Sequence, residues 1–177
     1  DKKSFRLRFC ASNNIFGSSS AGAPFQVYSL GKNWATRSYA VAPGDELEDT
    51  WEIENHYHFQ VYGPNGFFRE YRGTPKESLE IGVEYEQGEN KKLSGNLLVE
   101  IMNNTGNPIS VQIKDRAYQQ PSLTKQIAST YTLPVNSGKS HGWYDLSVTI
   151  PNNNNFEVRL AGRVETGREG RTDPAMA

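Results

Sequence analysis

The sequence contains three histidines, a residue type that commonly binds metal ions. His56 and His58 are separated by one residue, so a β-strand would place both imidazoles on one face, where they could bind a metal ion as a pair. The sequence indicates no third ligand, and His141 lies in the turn-like segment GKSHGW. We therefore predict a solvated sheet edge at His56 and His58, and no metal site.

Other residues that could support catalysis also lack the spacing that it needs. The acidic stretch GDELEDTWEIE at 44–54 offers carboxylates to Ca²⁺ but lacks the Asp-x-Asp-x-Asp-Gly spacing of a calcium loop, which favours a solvated acidic face. The single cysteine, Cys10, has no basic neighbour that would activate it, so we predict a buried or half-buried thiol. No phosphate-binding Gly-x-x-x-x-Gly-Lys-Ser/Thr loop is encoded. The sequence predicts no catalytic residue and no cofactor.

Composition excludes some classes of partner. The net charge of −1 gives no basic surface for nucleic acid, so we predict no nucleic-acid partner. Aromatic residues make up 11% of the chain, which argues against disorder although only 36% of the residues are hydrophobic. No apolar run approaches the roughly 20 residues that a membrane-spanning helix needs.

The segment YGPNGFFREYRG at 62–73 places two phenylalanines directly after a Pro-Asn-Gly turn. Because successive residues of a strand face opposite sides of a sheet, one ring must enter the core and the other must face outward or contact a neighbouring domain. We predict Phe67 as the core residue and Phe68 as the outward one. The candidate ligand or docking residues are Phe68, Arg69, Tyr71 and Arg72.

This pattern recurs at a spacing of about 87 residues, which indicates a tandem duplication. YHFQVYGPN at 57–65 aligns without a gap to YDLSVTIPN at 144–152, and in each copy Phe, Arg and Gly follow the turn. The alignment matches Arg69 with Arg159 and favours a structural role for both, such as an ion pair or a carbonyl contact. The predicted structural motif consists of Gly63, Pro64, Asn65, Gly66, Phe67, Trp143, Tyr144, Asp145, Arg159, Gly162 and Arg163.

The elements that must position these residues are strands. FQVYSL, HFQVY, ISVQI and LSVTI alternate with a period of two, and no window shows a good helical stripe. We predict an all-β chain of two tandem related antiparallel β-sandwich domains, residues 1–76 and residues 77–177. The second copy has an extra strand at 79–85, whose counterpart in the first copy would lie before Asp1. The abrupt start favours a segment of a longer protein.

Three segments together resemble a known family. AVAPGDELEDTW, YHFQVYGPNGFFREYRG and the closing GWYDLSV…FEVRLAGRVETGREGRTDPAMA are similar to the C-terminal region of bacterial phosphocholine-preferring phospholipases C, in the acid phosphatase-like phosphoesterase family. The resemblance covers nearly all of the chain. It implies a duplicated β-domain region with no catalytic residue of its own.

The resemblance also implies a parent enzyme. A metal-assisted, alkaline phosphatase-like catalytic domain would precede this region and cleave phosphatidylcholine or sphingomyelin, in a secreted, periplasmic or extracellular protein. The implied partners are that N-terminal catalytic domain and, as a further candidate, a phospholipid surface. The alternative is an independent module that binds carbohydrate or a cell-surface protein, and a third hypothesis is an autonomous enzyme.

Overall fold

The computed structural model describes residues 4–32, 34–76, 79–88 and 92–176. Within these ranges the chain is almost entirely β-strand without an α-helix, which confirms the all-β prediction, and no described helix is long and apolar enough to cross a membrane. The strands are β1 (Ser4–Cys10), β2 (Ala23–Ser29), β3 (Ala35–Val41), β4 (Glu46–Glu52), β5 (Tyr57–Tyr62), β6 (Phe68–Gly73), β7 (Leu79–Gln87), β8 (Leu93–Asn103), β9 (Ile109–Asp115), β10 (Leu123–Ile127), β11 (Thr130–Val135), β12 (Trp143–Ile150) and β13 (Asn153–Arg163). Single 3-10 turns lie at Gly17–Ser19, Gly138–Ser140 and Pro174–Met176.

The strands form three antiparallel sheets. A sheet of eight strands has the order β10-β9-β12-β13-β6-β5-β2-β3, a second sheet consists of β1 and β4, and a third has the order β11-β8-β7. The eight-stranded sheet runs through both halves of the sequence because β6 pairs with β13, with Arg69 opposite Leu160. This pair is the junction between the halves.

The strand order of the first half recurs in the second. The pair β1-β4 corresponds to β8-β11, and the order β6-β5-β2-β3 corresponds to β13-β12-β9-β10. Strand β7 pairs along β8 and is the extra strand predicted at 79–85. The division into two domains after residue 76 stays a prediction, since one sheet is continuous across the halves and residues 77 and 78 lie outside the described residues.

Each half has its own hydrophobic cluster. The alternating apolar residues of β2 and β5, such as Val27 and Phe59, face β1 and β4 in the first half, and Leu146 and Val148 of β12 face Leu97 of β8 in the second. Burial of such side chains stabilises each half by roughly 1.5–3 kcal/mol per residue. The opposite positions of the strands form the outer face of the eight-stranded sheet.

Two expectations about single residues are wrong. Cys10 is exposed and not buried or half-buried, because Leu7 and Phe9 occupy the core side of β1 and Cys10 has the opposite parity. The histidines are not at a sheet edge: His58 lies on β5, which has β2 on one side and β6 on the other, while His56 precedes the strand.

The acidic stretch is a solvated face with cross-strand partners. Strand β4 pairs with the arginine-bearing strand β1, and the ion pairs Arg6–Glu48 and Arg8–Glu46 have N–O distances of 3.3 and 3.9 Å. Exposed pairs of this kind contribute about 1 kcal/mol or less each. The arginines of β1 thus balance part of the negative charge of β4. Among the described residues, no group of three or more His, Cys, Asp or Glu side chains is placed to hold a cation.

Candidate docking site

A tight turn joins β5 to β6 and holds the phenylalanine pair. The Phe67 amide donates to the Pro64 carbonyl at 3.0 Å, and Asn65 and Gly66 have φ angles of 54° and 72°, which together define a type I′ turn. Glycine suits this position because it adopts a positive φ without steric cost. A Cβ atom at Gly66 would lie 2.7 Å from the ring of Trp143, so the turn packs tightly against the second half.

The two phenylalanines lie on opposite sides of the sheet, as the alternation predicts, and Phe67 is the one on the core side. The Phe67 ring lies 5.6 Å from the Phe25 ring, edge to face, at the border of the first core. The Phe68 ring lies on the outer face, 5.0 Å from the ring of Tyr62. Both rings are half-buried.

Arg69 is buried at the junction, with 8% of its surface exposed. Its Nη1 donates to the carbonyls of Phe68 and Ala161 at 2.8 Å each, and its Nη2 donates to the Tyr144 hydroxyl at 3.0 Å. Its guanidinium also lies 4.2 Å from the centre of the Phe67 ring. Among the described residues it forms no ion pair, so neutral groups from both halves satisfy the cation. Arg69 offers little surface to a partner, and a docking role for it stays a prediction.

The strand register corrects the alignment of Arg69 with Arg159. Tyr57 lies opposite Gly73 and Tyr144 lies opposite Gly162, so counting back from each glycine matches Phe67 with Phe156 and matches Arg69 with Val158. Arg159 lies one residue further along and therefore faces outward. The two arginines thus occupy opposite faces of the sheet, and the recurrence does not give them one shared role.

The tyrosine and glycine pairs are the feature that the two copies do share. A Cβ atom at Gly73 would overlap the hydroxyl of Tyr57, and one at Gly162 would lie 3.0 Å from the hydroxyl of Tyr144. In each copy the tyrosine ring covers the cross-strand glycine, which has no side chain of its own to pack. Gly63 has a similar reason to be glycine, since a Cβ atom there would meet the rings of Phe25 and Phe67.

Three rings continue across the outer face, and we call Tyr28, Tyr62 and Phe68 the outer aromatic strip. The Tyr28 and Tyr62 rings are 5.7 Å apart and perpendicular, and Tyr62 is 44% exposed. A shallow cleft of about 250 Å³ lies over Tyr28 and Tyr62, with Gln26, Gln60 and the exposed Leu30 on its walls. The strip is an apolar patch on the side of the sheet that faces solvent.

Charged residues next to the strip are paired with one another. Arg159 lies 5.2 Å from the Phe68 ring and makes a two-pronged contact with Asp145 at 2.7 and 2.6 Å, which raises the pKa of Arg159 above its ordinary value. Glu70 accepts a hydrogen bond from Gln60 at 3.0 Å and lies 2.7 Å from His58 Nε2. Burial raises the pKa of Glu70, but these hydrogen bonds outweigh it, and the pKa lies below its ordinary value.

The other two candidate docking residues have internal partners. Tyr71 is half-buried and packs against both hydrophobic clusters, and its burial raises the pKa of its hydroxyl. Arg72 is exposed and shares Glu157 with Arg116, at 2.8 and 3.0 Å. Of the four candidates, Phe68 alone belongs to the outer aromatic strip.

The remaining motif residues hold the C-terminal tail. Trp143 Nε1 donates to the Arg171 carbonyl at 2.9 Å, and the guanidinium of Arg163 lies 6.0 Å from the Trp143 ring. The Tyr118 hydroxyl donates to Asp173 at 2.9 Å. These contacts tie the tail at Arg171 to the start of β12 and at Asp173 to the loop after β9.

A cleft of about 480 Å³ lies at the start of β5 and includes both neighbouring histidines. Its polar wall combines His56, His58, Glu52 and Arg72. No three His, Cys, Asp or Glu side chains converge on a possible metal position in the part of the chain that the structure describes.

Sequence reasoning missed Tyr28 and Tyr62. The signal was present, because in FQVYS and HFQVY each tyrosine has the opposite parity to the apolar residues before it. A tyrosine out of phase with the core residues of its own strand predicts an aromatic ring on the outer face.

Comparison with known proteins agrees with this architecture. The family model described as bacterial phospholipase C, C-terminal domain, matches residues 2–74 and 79–163. A non-hemolytic phospholipase C of Pseudomonas aeruginosa is 32% identical over 176 residues, which cover 88% of this chain and 24% of the relative. A hemolytic phospholipase C of the same species is 37% identical over 146 residues, covering 75% and 19%, and a non-hemolytic phospholipase C of Burkholderia pseudomallei is 31% identical over 169 residues, covering 89% and 23%.

The matched residues include the strands of both halves and the pairing of β6 with β13 that joins them. The chain spans less than a quarter of the length of these relatives, and the family model that covers both halves is specific to one end of such proteins. This chain belongs to the bacterial phospholipase C C-terminal domain family.

Proposed function

We propose that this chain is a non-catalytic accessory region of a secreted bacterial phospholipase C and that its outer aromatic strip docks on the N-terminal catalytic domain of the same enzyme. The family membership supports the accessory role, and the parent's hydrolysis of phosphatidylcholine or sphingomyelin is part of the proposal. The three relatives extend far beyond the matched region, because the match covers 19–24% of their length. In an enzyme of that length, the rest of the chain would supply a large protein surface that could cover the outer aromatic strip.

The rings of the strip, of which Tyr62 is exposed and Tyr28 and Phe68 are half-buried, are the observation that carries the docking proposal. Antiparallel sheets with one solvated face normally carry polar residues there, whereas Tyr28, Tyr62 and Phe68 form a contiguous set of rings. Tyrosine and phenylalanine are enriched at protein–protein interfaces, where they add large contact areas with little loss of side-chain entropy.

The charges around the strip favour a protein partner over an anionic membrane. Arg159 is neutralised by Asp145, and Glu70 is hydrogen-bonded to Gln60 and His58. Binding to anionic lipid relies on unpaired cations, and none lies on the strip among the described residues. Contact with lipid would then follow indirectly, from the way in which the docked region orients the catalytic domain.

The test uses hydrogen exchange in the full-length enzyme and in the 177-residue chain. We expect amides of β2, β5 and β6 to be better protected in the full-length enzyme, and we expect Tyr62→Ala combined with Phe68→Ala to remove that extra protection. Trp34→Ala is the matched control, because Trp34 is a 63% exposed ring outside the strip. Equal protection in the two proteins would contradict docking through the strip.

Vesicle experiments separate the lipid hypothesis from the docking hypothesis. We expect the 177-residue chain not to sediment with phosphatidylcholine vesicles, whereas the full-length double variant should lose activity on such vesicles more than on a short soluble ester. Sedimentation of the isolated chain that depends on Tyr62 and Phe68 would identify the strip as a lipid-binding surface instead.

The cleft over the outer aromatic strip supports the alternative function, an independent carbohydrate-binding module. Gln26 and Gln60 lie beside Tyr28 and Tyr62, and amides next to an aromatic face can bind a sugar ring. Saturable binding of a glycan to the 177-residue chain, lost in Tyr62→Ala, would support an independent carbohydrate-binding module.

A further inference from the structure

A third cleft, lined by residues distant in sequence from the outer aromatic strip, carries several cationic side chains. It has a volume of about 240 Å³ and lies between the end of β13, the C-terminal tail and the loop that precedes β12. Three arginines line it, and we call Arg163, Arg168 and Arg171, together with His141, the arginine cleft. Glu169 contributes a carboxylate to the same wall.

The arginines of the arginine cleft are not fully neutralised by carboxylates of the described residues. Arg163 lies 3.4 Å from Glu165, which is long for a charge-assisted hydrogen bond, and 15% of the Arg163 side chain is exposed. Its Nε is buried without a hydrogen-bond partner. Arg168 and Arg171 form no ion pair with any described residue. A buried donor without a partner is costly, and the exposed part of the Arg163 guanidinium lines the cleft, where an anion could meet it.

The Arg163 side chain and the backbone of the tail are held in place before any ligand binds, whereas the side chains of Arg168 and Arg171 are exposed. The Trp143 indole donates to the Arg171 carbonyl at 2.9 Å, and the Arg163 guanidinium packs so closely under Gly170 that a side chain there would overlap it. Asp173 fixes the end of the tail through the Tyr118 hydroxyl. Such prior ordering reduces the entropy that binding would otherwise cost.

We propose that the arginine cleft binds a tetrahedral oxyanion of the phosphate class. Guanidinium groups present paired donors that match the oxygens of phosphate, and three of them around one cavity suit a doubly charged group better than a carboxylate. A phosphate monoester in solution and the phosphate monoester headgroup of a lipid both present this chemistry. The proposal is independent of the docking function of the outer aromatic strip.

The test titrates the 177-residue chain with inorganic phosphate at constant ionic strength and follows the Arg163 Nε–H signal by NMR. We expect a saturable shift with phosphate and none with chloride. Arg168→Gln combined with Arg171→Gln should weaken phosphate binding at least about tenfold, since two charge-assisted contacts are lost. Arg6→Gln combined with Arg8→Gln changes the net charge equally on β1 and should leave the dissociation constant unchanged.

Several results would overturn the proposal. These are the absence of a saturable shift, a chloride titration that reproduces it, and an equal loss of affinity in the two double variants. Vesicles of phosphatidylcholine that contain phosphatidic acid distinguish the two sources. Sedimentation that free phosphate abolishes supports a lipid headgroup, and binding of free phosphate without sedimentation supports a soluble phosphate monoester.

Discussion

The β5–β6 hairpin and the β12–β13 hairpin share most of their inner-face pattern, apart from Arg69 in place of Val158, and differ on their outer faces. Both place a tyrosine over a glycine and a phenylalanine after the turn. On the outside, the first hairpin carries the rings of Tyr62 and Phe68, whereas the second carries the ion pair of Arg159 and Asp145. The difference indicates that packing constrains the inner positions, while the outer positions are free to acquire separate roles.

The largest expected effect tests how far the inner faces are equivalent. Phe156 is 2% exposed, so Phe156→Ala should lower the free energy of unfolding by about 3–5 kcal/mol. Phe67 is half-buried, so Phe67→Ala should cost roughly half as much. Urea denaturation of both variants measures the difference, and equal losses would show that Phe67 is as much a core residue as Phe156.

The next comparison concerns the two arginines that the sequence pattern equates. Arg69→Met leaves two carbonyls and the Tyr144 hydroxyl without their donor and should cost about 1–3 kcal/mol. Arg159→Met removes a partly exposed ion pair with Asp145 and should cost about 1 kcal/mol or less. Thermal unfolding of both variants provides the measurement. A larger loss in Arg159→Met would reverse our assignment of the structural arginine.

A smaller effect is expected at the turn that contacts the second half. Gly66→Ala should cost about 1–2 kcal/mol, because the residue has a φ of 72° and the new methyl would meet the Trp143 ring. Gly82→Ala is the matched control, since open space surrounds that position, and should be nearly neutral. Gly66→Asn separates the two causes: asparagine tolerates this φ, as Asn152 does at 66° in the second copy, so any remaining loss reports the Trp143 contact. Full recovery in Gly66→Asn would mean that the contact contributes nothing.

The smallest predicted effect depends on pH. The pKa of Glu70 is lower in the folded chain than in the unfolded one, so its contribution is complete above the unfolded pKa and is lost as the pH falls through the folded value. Glu70→Gln should therefore destabilise the chain by less than about 1 kcal/mol at neutral pH and by progressively less in acid. Urea midpoints measured from pH 7 downward test this. A difference that stays constant with pH would exclude the carboxylate as its source.

Local sequence patterns were enough to predict the strands. The equivalence of residues in the two halves depends on how distant strands pair, which local patterns do not show. Alternation is enough to put Phe67 and Phe68 on opposite faces, and a Pro-Asn-Gly turn favours the positive φ seen at Gly66. The match of Arg69 with Arg159 failed because one residue of slip moves a side chain to the other face. The pairing of β12 with β13 shifts register between Thr149 and Ile150, just before the turn, and this irregularity takes up the extra residues of the second half, so the gap in the alignment could not be placed from sequence.

The outer aromatic strip and the junction were harder to predict for a related reason. Tyr28, Tyr62 and Phe68 come from three strands whose adjacency depends on the order of the sheet. The partners of Arg69 include Ala161, which is 92 residues away, and no periodicity within one segment reports such a contact. The arginine cleft likewise forms only because the tail returns to Trp143.

The pairing of β6 with β13 has a consequence for whether the two halves of the chain can be separated. A strand at the edge of a sheet exposes unpaired amides and carbonyls and invites other chains to add to it. Each of these two strands covers the edge of the other, so a chain cut between the copies would expose both edges to self-association. Removal of either half would therefore create an aggregation hazard in the half that remains.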